Sequence, residues 1–415
     1  MRVITLPMQC HNAAVMVWVR VGSRDETEPN RGVSHFLEHM LFKGTARYPN
    51  QKAISAELNR IGGVFNASTS QEWTNYFCKI PASRQGIVSA LRVLSQMTRQ
   101  PLLRADHMER EKGVVVEEIR KYEDMPERSI QDRMMEHTFA GNTLGVDIAG
   151  TEREVLGYDP NFVRAYFMRY YRPENMTLVV AGRGADQLDA EIVHAFGGGY
   201  DVVEGAPGVS PRMSATAKSI RRWMDAARAS KIPPSARSLA EVRAPSSPAY
   251  HKKDTSQVHV CLSWPLDMRF DDHRRQAATS LMSAALGGYM SSRLWLEVRE
   301  ARGLAYSIRT DVDSFEDVAL FNVCIGLKSE KAQEGVEATT QVIERLANDE
   351  EPLDEREISR AKDYLKGLHI LSYDDALSHA SSVGHYLALS SDASAAKTVY
   401  TKAHFAKLIQ GVTSD

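Results

Sequence analysis

The order in which strand-like and helix-like segments follow one another is the strongest constraint on this chain. Residues 12–21, NAAVMVWVRV, read as a buried strand. Ser23 to Gly32 is a polar loop, and from Val33 to Phe42 the apolar positions repeat at helical spacing, with Gly44 as the stop. A helix from about Gln51 to Arg60 ends at Gly62-Gly63, and VFNASTS and WTNYFCKI read as a hairpin. Helices near 83–98 and 105–123, another starting near Pro126, and one near 160–170 lead into the buried strand NMTLVVAG. The order then returns. QVHVCLSWP (257–265) matches the first buried strand, and HRRQAATSLMSAALGG (273–288) matches the helix that follows it. Strands at about 305–313 and 318–326 and helices at about 330–348 and 354–372 complete the second pass.

This implies a duplication with halves of roughly 200 residues. The expected fold class is α+β: two similar domains, each a mostly antiparallel sheet packed with helices. Their bounds are 1–205 and 251–415, with a linker at 206–250. The linker carries Pro207, Pro211, Pro233, Pro234, Pro245 and Pro248, and between Arg212 and Arg243 has eight Lys/Arg against two Asp/Glu. It reads as an exposed spacer with one short basic helix, SIRRWMDAARAS; the other reading is a docking site for an acidic partner. The second half ends at GVTSD, where the first still has a helix and a strand to come. The second domain is therefore expected to lack its last strand, to be truncated at its C-terminus, or to be closed by another chain.

Composition removes several classes. Of the 415 residues, 43% are hydrophobic and 25% charged, which excludes a disordered or fibrous protein. The formal charge of −2 argues against a nucleic-acid binder. No apolar run approaches the roughly 18 residues of a membrane span, and the N-terminus lacks the features of a signal peptide. Cys10, Cys78, Cys261 and Cys324 are far apart and form no CxxC. Four reduced, mostly buried thiols in a cytoplasmic protein are expected.

The chemistry centres on His35-Phe36-Leu37-Glu38-His39. Positions i, i+3 and i+4 share one helix face, so His35, Glu38 and His39 point the same way. Two imidazoles one turn apart can hold one zinc ion at about 2.0–2.1 Å, with the carboxylate between them. This is H-x-x-E-H, the reverse of the H-E-x-x-H zinc peptidase motif. The set would also accept cobalt or manganese. A catalytic zinc keeps three protein ligands and one open position, so a third ligand must come from elsewhere. The segment MEREKGVVVEEIRKYED offers Glu111, Glu117 and Glu118. Glu111 and Glu118 lie two turns apart on one helix face, and Glu117 points about 100° from Glu118. The spacing leaves open which of them ligates.

HFLEHMLFKGT, RIGGVFNASTSQEWTNYF, EREKGVVVEEIRKYED and REARGLAYS, in this order, resemble the pitrilysin, insulysin and mitochondrial processing peptidase family. Length and two-half organisation are most similar to its short bacterial and processing-peptidase branch. The resemblance implies that His35 and His39 are zinc ligands and Glu118 the third, with Glu117 the fallback. It implies Glu38 as general base and Glu111 as a carboxylate orienting a ligand. Asn66 and Ala67 fall on the strand that pairs with substrate backbone. Arg299 and Tyr306 match a pair that contacts substrate near the scissile bond. The second half carries no metal set: where the repeat places HFLEH it reads SLMSA.

The resemblance further implies a zinc-dependent endopeptidase acting on short or unfolded peptides in extended form. One chain supplies one of the two units that enclose a site, so a homodimer, or a heterodimer with a homologous chain, is implied. Arg299 and Tyr306 would then reach the zinc of the other subunit. The competing readings are a non-catalytic scaffold subunit and a peptide-binding chaperone with structural zinc. No nucleic acid and no membrane partner are expected.

Overall fold

The computed structural model describes residues 1–197, 247–372, 374–389 and 402–413. The expected linker, with its basic helix, lies outside the described residues up to 246. The first half begins with β1 (Arg2–Pro7) and β2 (Asn12–Val19), then α1 (Val33–Leu41) and α2 (Gln51–Asn59). The hairpin β3 (Val64–Thr69) and β4 (Thr74–Pro81) follows. Next come α3 (Arg84–Arg99), α4 (Ala105–Glu123), α5 (Pro126–Thr138), α6 (Glu152–Gly157), α7 (Pro160–Tyr170) and β5 (Met176–Gly182). The five strands pair in the order β1-β5-β2-β4-β3. Only the β1–β5 pair is parallel. The second half contributes β6 (Val258–Leu266), α8 (His273–Gly287), β7 (Ala305–Ser314) and β8 (Ala319–Leu327). These three strands pair antiparallel as β6-β8-β7. The helices α9 (Ala332–Ala347), α10 (Glu355–Leu371), α11 (Ala376–Leu389) and α12 (Lys402–Gly411) follow. Among the described residues the second sheet has no counterpart of β5.

Local chemistry places many helix starts. Asn50 and Ser83 accept from Ala53 and Gly86 N–H at the heads of α2 and α3. Asp159 caps α7, where Pro160 takes the first turn, and Asp354 with Glu357 forms a capping box at α10.

Every residue of β2 after Asn12 is buried, which requires cover on both faces. Val15, Val17 and Val19 face the core formed with α1, α3 and α4. Ala14, Met16 and Trp18 face Ala376, Ala380 and Ala388 of α11. The small residues of α11 permit close approach: a Cβ on Gly384 would fall 1.9 Å from Trp18 Nε1. The loan is reciprocal. Met134 of α5, with Phe139 and Leu144, packs on Phe315, Val318 and Leu320 of the second half. Each half thus covers the other's sheet with one helix.

The expectation of four reduced thiols is corrected at one pair. Cys261 and Cys324 stand directly opposite on β6 and β8, Cα to Cα 4.3 Å, and are joined in a disulfide. Cross-strand pairing brings together two cysteines 63 residues apart. Cys10 and Cys78 are free and buried.

Candidate metal centre

The helix that carries the histidines starts at Gly32, whose φ of +84° suits glycine. A Cβ there would lie 2.2 Å from the Ala149 carbonyl oxygen. Glycine has no side chain to cap α1, and Glu26 does so from the preceding loop. Its Oε2 accepts from Gly32 N–H (2.5 Å) and its Oε1 from Ser34 N–H (2.7 Å). Burial holds the Glu26 carboxyl up at about 8, against the pull of these donors. Ser34 and Tyr166 share a hydrogen bond of 2.9 Å, tying the same turn to α7.

One turn on, the face of α1 opposite its buried Phe36, Leu37 and Met40 meets α4. His39 Nε2 lies 3.3 Å and His35 Nε2 3.9 Å from Glu118 Oε2. One atom from each of His35, His39 and Glu118 falls within 4.8 Å of the others, the one such His/Cys/Asp/Glu group among the described residues. Two imidazole nitrogens and one carboxylate oxygen fit a catalytic zinc. Glu117 points away and pairs with Arg120 at 2.7 Å. His39 Nδ1 donates to Glu111 Oε1 (3.0 Å), and Lys43 Nζ holds Glu111 Oε2 (2.7 Å). That contact directs His39 Nε2 toward Glu118. Glu38 is buried beside the histidines and accepts from Thr69 Oγ1 of β3 at 2.5 Å.

The electrostatics separate the two imidazoles. Burial, then His39, pushes His35 down to about 4. Burial also opposes charge on His39, but hydrogen bonds to Glu111 and Glu118 outweigh it and raise it to about 9. The same hydrogen bond from His39 is the main cause holding Glu118 down at about 2. Burial raises the Glu38 carboxyl, against the Thr69 hydrogen bond.

These groups line a cavity of about 1300 Å³. Its walls include Asn66, Ala67, Ser68 and Thr69 of β3, together with Tyr122, Asp132, Asp147, His251 and Lys253. Asn66 is exposed, whereas Ala67 is 9% exposed. Because β3 is an edge of its sheet, its outer side is open to pairing.

Family comparison closes the identification. The model described as insulinase (peptidase family M16) matches residues 2–152, and that described as peptidase M16 inactive domain matches residues 158–365. The uncharacterized zinc protease YmxG of Bacillus subtilis is 31% identical over 374 residues, covering 90% of this chain and 82% of that protein. The chain belongs to peptidase family M16. An uncharacterized zinc protease of Mycobacterium tuberculosis is 32% identical over 389 residues, covering 92% of this chain and 81% of that one. In fold, the M16 chain is similar to a protease from Helicobacter pylori, with a TM-score of 0.77 at 20% identity over 99% of this chain and 93% of that one. A peptidase M16 inactive domain from Pseudomonas fluorescens gives 0.72 at 19% identity, over 99% of this chain and 90% of that one.

Two residues carried over from the M16 motifs lie away from the cavity walls. Tyr306 is 70% exposed at the start of β7, and the Arg299 guanidinium sits 3.9 Å from the Trp295 ring centre. Four residues around this candidate site were not expected from the sequence: Glu26, Lys43, Thr69 and Tyr122. Tyr122 stands four residues after Glu118, a helical spacing that signals a shared face. Glu26 and Thr69 reach α1 from separate loops and strands and leave no local signal. No helix among the described residues is long and apolar enough to cross a membrane.

Proposed function

We propose that this chain is a zinc-dependent endopeptidase that hydrolyses short or unfolded peptides bound in extended form along β3. What carries the reading is Glu38 buried next to three converging metal donors, beneath an open edge strand. His35, His39 and Glu118 would hold the ion. Zinc supplies Lewis acidity, which makes water acidic near neutral pH and stabilises charge on a polarised carbonyl.

The chain's own groups do the rest. Glu38 takes a proton from the attacking water and passes it to the leaving amine. Its raised pKa suits a group that must both accept and return a proton. Thr69 anchors one Glu38 oxygen and leaves the other free for this transfer. Residues 64–69 would hydrogen-bond the substrate backbone by β-augmentation, which reads side chains weakly.

Because Arg299 and Tyr306 lie outside the cavity walls, we further propose that they serve a site completed by a second copy or a homologous chain. A partner-dependent subunit is therefore the second reading.

Cleavage of a quenched fluorescent peptide, with chelator and then with zinc restored, tests the function. Chelator-sensitive cleavage that zinc rescues is expected. Glu38→Gln should keep one zinc per chain and lose about 100-fold or more in kcat. Normal cleavage by that variant would overturn the mechanism. Full zinc occupancy without any cleavage would favour the partner-dependent subunit.

A further inference from the structure

The two oxygens of Glu118 have different neighbours. Oε2 faces both imidazoles, 3.3 Å from His39 Nε2 and 3.9 Å from His35 Nε2. Oε1 accepts a hydrogen bond from the Tyr122 hydroxyl at 2.8 Å. Tyr122 lies one turn further along α4, half-buried in the cavity wall. Its ring is covered by Arg128, whose guanidinium carbon sits 4.9 Å from the ring centre. Arg128 comes from α5, just past the corner at Asp124 and Met125. The ring is therefore held between Glu118 on its own helix and Arg128 on a second one.

We propose that Tyr122 is a positioning residue that keeps Glu118 a one-oxygen ligand and thereby preserves the open coordination position that catalysis requires. This rests on the zinc peptidase reading above. A carboxylate can bind a metal through one oxygen or both. With Oε1 engaged by a phenol, Glu118 presents Oε2 alone. An ion held by two imidazole nitrogens and one oxygen would keep one coordination position for water or substrate. Without the phenol, Oε1 is free to turn toward the ion and take that position. The role resembles that of Glu111 on His39: each holds the atom of a ligand that does not face the metal. It differs in consequence, because Glu111 orients a ring and Tyr122 limits the number of donors.

The test compares wild type and Tyr122→Phe, each loaded with cobalt as a spectroscopic probe and with zinc for turnover. Phenylalanine keeps the ring and the Arg128 contact. Both proteins should bind one metal ion per chain. The visible cobalt absorption should weaken in the variant, because a higher coordination number gives weaker bands. The zinc form should lose about tenfold in kcat, which is ~1.4 kcal/mol, with KM unchanged. Arg128→Ala, which keeps the hydroxyl but frees the ring, should move the spectrum the same way by a smaller amount.

An unchanged cobalt spectrum in Tyr122→Phe overturns the proposal, whatever the activity. If wild type binds no cobalt or zinc, the peptidase reading itself falls and the proposal with it. If wild type binds metal and cleaves while the two spectra coincide, only the role of Tyr122 falls.

Discussion

Arg24 and Asp317 join the two halves of the chain through a two-pronged ion pair, Nη1 to Oδ1 at 2.7 Å and Nη2 to Oδ2 at 2.8 Å. Arg24 is 2% exposed and also holds Glu72 at 2.6 Å. Glu72 in turn accepts from the backbone N–H of Glu316. Removing one carboxylate leaves the guanidinium buried with half its compensation. Asp317→Ala should cost about 3 kcal/mol in urea unfolding. A loss under about 0.5 kcal/mol would mean that the pair is as weak as a surface ion pair.

Glu26 and the head of α1 give a second expectation. Above about pH 8, where the Glu26 carboxylate is ionised, Glu26→Gln replaces one of two acceptor oxygens with an amide that must face an N–H donor. A loss of about 1–3 kcal/mol in stability is expected. Because His35 and His39 ride on the same helix, zinc affinity should fall as well. Calorimetric titration with zinc would measure that, and an unchanged affinity would show that the helix start does not govern the site.

His385 of α11 lies between Trp73 and Phe270, 5.6 and 5.2 Å between ring centres, and burial holds its pKa down at about 4. The folded state keeps this ring neutral while the unfolded chain protonates it near 6.5. Stability is therefore lost as pH falls from about 6.5 toward 4, by up to roughly 3 kcal/mol. The difference in unfolding free energy between wild type and His385→Phe should grow across that window in favour of the variant. Parallel pH profiles for the two would contradict the assignment.

Metal removal should stop cleavage without unfolding the chain. The histidine helix is docked through Phe36, Leu37, Met40 and Leu41, and α4 through Met108, Val115 and Val116, all in one core. Far-UV circular dichroism with excess chelator should match the loaded protein. The melting temperature should drop only by the linkage of lost binding. Collapse of the spectrum would instead mark a structural site.

Much of the first half was legible because its signals are local. The helix at 33–41, the hairpin at 64–81 and the strand at 176–182 follow from apolar spacing and glycine stops. The shared face of His35, Glu38 and His39 is a property of 3.6 residues per turn. The choice between Glu117 and Glu118 was not local. Both lie on one helix, and the rotation of α4 against α1 decides it, turning Glu118 inward and Glu117 to Arg120.

By itself, then, the sequence determined the order of elements, the repeat and the shared face of His35, Glu38 and His39. Backbone dihedrals and side-chain periodicity act over a few residues, so those features are written wherever the residues stand. Tertiary structure alone decided what those elements meet. It brought α11 onto β2, Arg24 to Asp317 and Cys261 to Cys324, and turned Glu118 toward the imidazoles of α1. Most of these meetings join residues tens to hundreds of positions apart. Even Glu118 and Tyr122, one turn apart, acquire their meaning only because α1 packs beside them. Packing of whole faces, not local propensity, selects such contacts.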